Sequence, residues 1–145
     1  MPIYQCAHQH GLLTGDDMKA KIASAITDAH VEATGAPRVF VHVFFNEIPP
    51  GIAYSAGEPD AEVTGITGSI RQGRTLEQKQ KLVKQIMTSW CEITGQSPKH
   101  VIAGLTEIES DITMEYGLIL PPPGDEPEWF AKNADALDGI SGTGL

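Results

Sequence analysis

Residues 79–95 read KQKLVKQIMTSWCEITG, and they repeat the stretch at residues 19–35, which reads KAKIASAITDAHVEATG. The matching positions are two lysines, two aliphatic residues, a glutamate and a closing Thr-Gly pair: Lys19, Lys21, Ile22, Ile26, Glu32, Thr34 and Gly35 correspond to Lys79, Lys81, Leu82, Ile86, Glu92, Thr94 and Gly95. Glu47-Ile48 likewise returns as Glu107-Ile108. Self-similarity at a fixed separation indicates a tandem duplication, here of a unit of about sixty residues.

Each repeated stretch predicts a helix. Apolar side chains recur at the spacing of one helix face in both copies: Ile22, Ile26, Ala29 and Ala33 in the first, Leu82, Ile86 and Ile93 in the second. Thr14–Asp17 and Thr75–Gln78 each resemble a capping box, the pattern that marks the start of a helix. Gly35 and Gly95 follow the last apolar positions, where glycines commonly end helices.

Extended segments flank both predicted helices. Residues 3–8 and 63–70 precede the helices, and residues 39–45 and 101–105 follow them. The first of these following segments, 39–45, is rich in β-branched or aromatic side chains. A strand, a helix of about twenty residues and a second strand form a right-handed β-α-β unit with parallel strands. Each repeat is therefore predicted to be one such unit.

Two fused β-α-β units predict an α/β fold with a four-stranded sheet and both helices on one face. The units span residues 2–48 and 62–108 of a single domain, 1–145, and a turn-rich connector joins them. The second face of the sheet needs a cover, and one chain supplies no further layer. We therefore expect self-association.

The segment 109–145 follows the second unit. Residues 114–120 are mostly apolar and predict a short strand, which the prolines at 121–123 end. Residues 126–132 predict one or two helical turns, and residues 139–145 are small and polar and predict a loose tail.

Composition excludes several classes of function. The chain has 10 Lys and Arg against 19 Asp and Glu, a formal net charge of −9, which repels nucleic acid and anionic membranes. No apolar run is long enough to span a membrane, and the first residues lack the pattern of a signal peptide. The two cysteines, Cys6 and Cys91, do not have the spacing of a disulfide framework. They suggest two buried thiols in a reducing compartment, so we expect a cytoplasmic protein.

Pro2 is the first candidate for chemistry. Initiator methionine is usually removed before a small residue, which would leave a secondary amine at the start of the first strand. An amino-terminal amine titrates near neutrality and can act as a general base or acid. The alternative is that Pro2 has no function, which is the only possibility if Met1 is retained.

Arg71 and Arg74 lie between the predicted strand and the helix that follows it. The amino-terminal end of a helix is already partly positive, so two cations there are unfavourable unless an anion binds between them. Carboxylates suit such a junction, because guanidinium groups and free helix N–H groups both donate to them. Pairing with surface Asp or Glu remains the alternative.

Several other polar residues are candidates, but for these a structural role is favoured over a functional one. His30 lies beside an apolar helix stripe, where a histidine is more often bonded to the backbone. His8 and His10 share a strand face, but a metal site needs a third ligand that the spacing does not supply. Phe40, His42 and Phe44 are predicted to share a face, with His42 structural, and Glu115 reads as an exposed glutamate within an apolar stretch.

Together these residues resemble the tautomerase superfamily, most closely its cis-3-chloroacrylic acid dehalogenase group. The resemblance rests on Pro2, on His30 in ITDAH, on Arg71 and Arg74 in RQGR, on Glu115 in EYG, and on residues 128–130, EWF. It implies a homotrimer of chains that each contain two fused β-α-β units, in agreement with the duplication.

The resemblance also implies roles. Pro2 would exchange a proton with the substrate, Arg71 and Arg74 would hold its carboxylate with help from His30, and Glu115 would activate water. The group's water-activating tyrosine falls at Gly104, which has no hydroxyl. A side chain supplied at that position would need to reach Glu115.

These roles predict a cofactor-free, metal-free enzyme that acts on small carboxylic acids. The leading hypothesis is keto–enol tautomerisation of 2-oxo or unsaturated acids, which needs only proton transfer and electrostatic stabilisation. The first alternative is hydration or hydrolytic dehalogenation of cis-3-haloacrylate-type acids, which we expect to be slow with Gly104. The second alternative is a non-enzymatic trimer that binds small acids or other proteins.

Overall fold

The first repeat folds as strand, helix and strand. The structure is a computed structural model that describes residues 1–140. Strand β1 (Ile3–Gln9) leads to helix α1 (Asp16–Thr34) and then to strand β2 (His42–Ile48). The connector that follows contains a small antiparallel ribbon, β3 (Tyr54–Ser55) with β4 (Glu58–Pro59).

The second repeat has the same order of elements. Strand β5 (Thr64–Arg71) precedes helix α2 (Leu76–Thr94), and strand β6 (Val101–Ile108) follows it. Each helix has 19 residues, so the two copies are equal in the length of helix that they pack against the sheet.

The four long strands form one sheet in the order β2-β1-β5-β6. Within each repeat the strands are parallel, but β1 and β5 pair antiparallel in the centre, with Ile3 opposite Ser69. The start of β1 therefore lies beside the end of β5. The mixed α/β fold with a four-stranded sheet is as the sequence predicts.

The second strand of the first repeat starts later than its sequence suggests. Residues Arg38–Phe40 form a 3₁₀ turn, and β2 begins only at His42. Phe40 is completely buried against Val39 and Leu120. The prediction that Phe40 shares a strand face with His42 is wrong, because its side chain is drawn into this second apolar cluster instead.

The C-terminal segment forms a hairpin and a short helix. Residues 114–120 contain two strands, β7 (Met114–Glu115) and β8 (Leu118–Ile119), not one. Tyr116 and Gly117 make the turn between them with φ of 54° and 77°, the positive values that a two-residue hairpin turn requires. Helix α3 (Glu126–Lys132) follows as predicted, and residues 141–145 of the predicted loose tail lie outside the described residues.

The ends of α1 and α2 confirm three of the four start and stop signals predicted for these helices. Thr75 accepts from the backbone N–H of Gln78 in a complete capping box. Gly35 and Gly95 both end their helices in the left-handed conformation. The predicted cap at Thr14 is wrong, because α1 begins after Gly15 at φ 131°, with no side-chain cap.

The main core lies between the sheet and the two long helices. It joins the inward side chains of β1 and β5 to the apolar faces of α1 and α2; among these residues are Tyr4, Cys6, Ile22, Ile26, Ile66, Ile70, Leu82, Ile86 and Trp90. The opposite sheet face leaves apolar side chains in water, with Phe44 51% and Ile102 67% exposed. Cys6 is buried as expected, but Cys91 is only half-buried. Among the described helices, none is long and apolar enough to cross a membrane.

Gly68 makes room for the ring of Tyr4. The two residues are opposite each other in the central strand pair, and a Cβ atom on Gly68 would lie 2.5 Å from Tyr4 Cε1 and 2.8 Å from Leu105 Cδ2. The Tyr4 ring is completely buried in the core, so its contact cannot be relieved by a small movement into solvent, although the half-buried Leu105 can move.

Gly68→Ala is expected to lower the free energy of unfolding by about 1–3 kcal/mol, the usual cost of overpacking a filled core. Urea denaturation measures the change. Gly65→Ala is the matched control on the same strand, because its Cβ would meet nothing within 4 Å. Equal stabilities for the two variants would show that Tyr4 moves aside without cost.

Candidate active site

The amino terminus lies at the end of the sheet where β1 starts and β5 ends. Pro2 is buried, and its carbonyl accepts a hydrogen bond of 3.0 Å from the N–H of His42. The amine of Met1 lies 4.0 Å from Oε2 of Glu115. The antiparallel pairing of β1 with β5 brings Arg71, the last residue of β5, to the same end.

The electrostatic surroundings favour the neutral form of the amino-terminal amine. Burial first, and then the positive charge of Arg71, lower the pKa of the Met1 amine to about 5, while the Glu115 carboxylate acts in the opposite direction. At neutral pH the amine is therefore unprotonated and available as a base.

Arg71 is buried in a cage of protein groups. Its guanidinium donates 2.7 Å to the carbonyl of Pro121, forms an ion pair with Glu126 and lies 5.7 Å from the ring centre of Phe40. Arg71 therefore pairs with an acidic residue, which was one of the two alternatives for the arginines. The pair is buried, however, and not on the surface. Sequence reasoning missed Glu126, because nothing in the sequence brings α3 back to β5.

Arg74 lies in the turn after β5 and reaches across to α1. It donates 3.0 Å to the carbonyl of Thr34, in the last turn of that helix, where the helix dipole favours a cation. Burial lowers the pKa of Arg74, and the nearby Arg71 lowers it further. The two cations therefore repel each other, and an anion between them would relieve the repulsion.

His30 and Tyr4 form a buried hydrogen-bonded pair beside the arginines. The Tyr4 hydroxyl lies 2.7 Å from Nδ1 of His30, which is 2% exposed. Burial first, and then the charges of Arg74, the amine and Arg71, lower the pKa of His30 to about 3, so its ring is neutral. Sequence reasoning placed His30 in a half-buried position with a backbone partner and missed Tyr4, because their approach depends on packing α1 on the sheet.

Glu115 is buried, not exposed as its sequence setting suggests. It ends β7 immediately before the turn at Tyr116, whose hydroxyl donates 2.5 Å to the carbonyl of Val39 and so fastens the hairpin. One carboxylate oxygen, Oε1, is in hydrogen-bond contact with Nε2 of His42. The other, Oε2, is buried without a hydrogen-bond partner among the described residues.

The remaining histidines separate into two groups. His42, interpreted from sequence as structural, contacts Glu115 and belongs to the site. His8 lies 3.2 Å from the carbonyl of Gln9, and His10 pairs with Glu47 at 2.5 Å, both at the opposite end of the sheet. Within residues 1–140, no three His, Cys, Asp or Glu side chains are grouped to hold a metal ion.

Apolar side chains form one wall of the site. Val39, Phe40 and Leu120 are buried together, and Met1 packs against them with several aromatic residues, Tyr116, Trp129 and Phe130 among them. Phe40 stacks on Phe130 with ring centres 5.5 Å apart. The side chain of Met1 therefore fills the space that adjoins the amine and this wall.

Gly104 lies far from Glu115 of the same chain. It is on β6, and Glu115 contacts the first residue of β2 at the other edge of the sheet. The two edge strands are three strand spacings apart, about 14 Å. A side chain at position 104 therefore does not reach Glu115 within one chain.

Comparisons with known proteins agree with this fold. The family model described as "Putative oxalocrotonate tautomerase enzyme" matches residues 1–134. The chain is 43% identical over 42 residues to "Probable tautomerase LL0574" of Lactococcus lactis subsp. lactis (strain IL1403), which is 29% of this chain and 69% of the relative.

Solved structures share the whole architecture. N1, a member of the cis-3-chloroacrylic acid dehalogenase (cis-CaaD) family, superposes with a TM-score of 0.85 at 32% identity, over 94% of this chain and 99% of N1. A fused 4-OT described as a wild-type symmetric trimer has the same fold, with a TM-score of 0.73 at 24% identity, over 81% of this chain and 94% of that one.

A β-α-β duplication with a buried amine beside two arginines thus defines the class of protein. The chain belongs to the tautomerase superfamily, within the family of the oxalocrotonate tautomerase model, as the sequence resemblance indicates.

Glu126→Ala is expected to lower the free energy of unfolding by about 3–5 kcal/mol, because it leaves the buried Arg71 charge without its partner. Burial alone would raise the pKa of Glu126, but hydrogen bonds from its own N–H, Arg71 and Gly124, with the Arg71 charge, lower it overall. This stabilisation is therefore complete above the ordinary glutamate value of 4.5 and decreases as pH falls through the lowered pKa.

Thermal unfolding from neutral to acidic pH tests this expectation. Glu128→Ala, on the exposed side of the same helix, is the control and should stay within about 0.5 kcal/mol of wild type. A Glu126→Ala deficit that does not shrink in acid would contradict the assignment.

Proposed function

We propose that the protein is a cofactor-free keto–enol tautomerase that acts on small 2-oxo or unsaturated carboxylic acids. Removal of Met1 turns the nitrogen of Pro2 into a secondary amine, and this amine moves a proton to or from a carbon of the substrate. The observation that carries the proposal is a buried amino terminus beside two arginines and a buried carboxylate, where burial and Arg71 lower the pKa of the Met1 amine to about 5.

Proton transfer at carbon needs a base that is neutral at working pH and an environment that accepts negative charge. The same buried, cationic surroundings meet the first need once Met1 is removed, because they favour the neutral form of the Pro2 amine, and a neutral amine accepts a proton directly. The arginines meet the second, because preorganised cations stabilise the enolate-like state in which charge moves towards the carboxylate.

The two arginines have unequal roles in this proposal. Arg71 donates hydrogen bonds to Pro121 and to Glu126, and Arg74 donates one to Thr34. A guanidinium has five N–H donors, so both retain donors for a substrate carboxylate. Arg74 is the more accessible of the two and makes the principal contact, while Arg71 is held rigidly behind it.

His30 supplies a neutral hydrogen-bond donor to the same carboxylate. We assign the Tyr4 hydroxyl as the donor to Nδ1, which places the ring proton on Nε2. A neutral donor adds no third charge to the arginine pair and costs less to bury than an imidazolium would.

The apolar wall selects the rest of the substrate. Met1 packs against Val39, Phe40 and Leu120, so its removal frees space beside the Pro2 nitrogen. Aromatic side chains border that space, and this supports substrates with an apolar or aryl group, such as the enol of an arylpyruvate.

We also propose a homotrimer in a reducing compartment, the cytoplasm. The uncovered sheet face exposes Phe44 and Ile102, which a neighbouring copy would cover. Fused 4-OT structures of the same fold are trimers by their descriptions, which supports this assembly. The free thiols of Cys6 and Cys91 support the reducing compartment.

Hydration or hydrolytic dehalogenation of cis-3-haloacrylate-type acids is the second candidate. The buried, unpartnered Oε2 of Glu115 supports it, since a free carboxylate oxygen can orient and deprotonate a water. The likeness to N1 of the cis-CaaD family supports it too. A non-enzymatic trimer would follow if Met1 stayed on the chain.

Pro2→Ala is expected to lower kcat/KM for arylpyruvate enol ketonisation by about 10²–10⁴, the usual worth of a positioned acid–base group. The primary amine of alanine is placed and titrates differently. Electrospray mass spectrometry of both proteins must first show that Met1 is absent. Activity within about twofold of wild type in such samples would sink the assignment of Pro2 as the proton carrier.

Arg71→Ala and Arg74→Ala are each expected to weaken turnover of acid substrates about ten- to hundred-fold, because each removes a charged contact to the carboxylate. The matching esters separate binding from structure. In wild type the ester should turn over more slowly than the acid by a similar factor. In the variants the ester should turn over almost as fast as the acid. Equal losses for acid and ester would mean that the arginines serve only the fold.

A further inference from the structure

Only one of the two oxygens of Glu115 is held by the protein. Oε1 contacts Nε2 of His42, whereas Oε2 is buried, lacks a hydrogen-bond partner among the described residues and faces the amine at 4.0 Å. A buried carboxylate oxygen without a partner is costly, because it has lost its water and gained nothing in return. Its orientation towards the site therefore needs a specific restraint.

The backbone around Glu115 does not provide that restraint. Its hairpin strand has two residues, and the bond from Tyr116 to Val39 fastens the turn but not the glutamate side chain. A glutamate has several rotatable bonds, and their freedom must be removed by contacts of its carboxylate. His42 is the hydrogen-bond partner that the structure gives to this carboxylate.

His42 is itself fixed relative to the amino terminus. It is the first residue of β2, lies opposite Ile3 in the sheet and donates its backbone N–H to the carbonyl of Pro2. One residue thus holds Pro2 through its backbone and Glu115 through its side chain. The ring is about one-third exposed, so its other edge reaches the mouth of the site.

We propose that His42 is a positioning residue of the site: its imidazole holds Oε1 of Glu115 so that Oε2 points at the amine and the substrate. The inference rests on the proposed function and adds to it a residue that acts through Glu115. With the proton on Nε2, the ring donates to the carboxylate and fixes its rotamer. Loss of the ring frees Glu115 to turn away from the amine.

A second histidine–glutamate pair provides the internal control. His10 and Glu47 are also in contact, at 2.5 Å, but both side chains are more than half exposed and lie at the other end of the sheet. Exposed pairs of this kind contribute little. His10→Ala therefore removes a similar contact without touching the site.

The first test needs no substrate. The rate of acetylation of the amino-terminal amine by acetic anhydride is measured against pH, with the terminal peptide followed by mass spectrometry. Arg71, Arg74, Glu115 and Glu126 are the charged groups that act on the Met1 amine, whose pKa Glu115 raises, and we expect effects of the same sign on the Pro2 amine once Met1 is removed. Glu115→Gln should therefore shift the reactivity profile to lower pH and set the size of the full effect.

His42→Ala is expected to shift the profile in the same direction, because the freed carboxylate no longer faces the amine. A shift of half a pKa unit makes labelling about threefold faster on the acidic side. His42→Gln should match wild type, since its amide donates a hydrogen bond at similar reach but takes up no proton. His10→Ala should also match wild type.

The second test uses turnover. In His42→Ala, kcat for water addition to an unsaturated acid should fall about ten- to hundred-fold, the typical cost of misplacing a reacting group, with KM little changed because the arginines are intact. His42→Gln should recover most of the loss.

Two results would overturn the inference. One is a His42→Ala labelling profile that overlays wild type, which would mean that the ring does not orient Glu115, or that moves to higher pH, which would mean that the ring acts as a positive charge. The other is equal loss in His42→Gln and His42→Ala. Failure of the proposed function appears elsewhere, as a Pro2→Ala variant that tautomerises normally, so the two failures are distinguishable.

Discussion

The antiparallel pairing of β1 with β5 is the constraint on which the site depends. Each repeat alone is a parallel β-α-β unit, and its two strands start at the same end of the sheet. Because the repeats join through their first strands in opposite directions, the start of β1 at Pro2 meets the end of β5 at Arg71. The site is therefore built from both repeats, and neither copy contains it alone.

The same pairing creates a second, equivalent end, and its chemistry is different. There the start of β5 meets the end of β1, beside a cavity of about 500 Å³ that Gln9 and Gln96 help to line. Gln96 accepts from Thr64 and Trp90 and donates to the carbonyl of Glu62, and the pairs His10–Glu47 and His100–Glu62 lie at the same end. No arginine lies within residues 9–14, the counterpart of the stretch that contains Arg71 and Arg74. One end thus has two arginines beside an amine, and the other has amides and histidine–glutamate pairs around a cavity.

Much of the fold is legible in the sequence, because it follows from local pattern. The helices, their glycine ends and the four strands depend on spacing and backbone preference within one repeat. Two of the errors, at Phe40 and Glu115, occur where a contact from another element overrides the local preference. Phe40 leaves its predicted strand for a cluster with Leu120, and Glu115 is buried because the hairpin folds back onto the start of β2.

The sequence by itself determined the duplication, the α/β class and the superfamily, together with five candidate residues, Pro2, His30, Arg71, Arg74 and Glu115. Only the tertiary structure decided what those residues touch. Glu126, Tyr4 and His42 lie 55, 26 and 73 positions from Arg71, His30 and Glu115 respectively. The reason is physical: the charge state and orientation of a buried group depend on neighbours in space, and long-range neighbours are set by the packing of whole elements, which spacing along the chain does not encode.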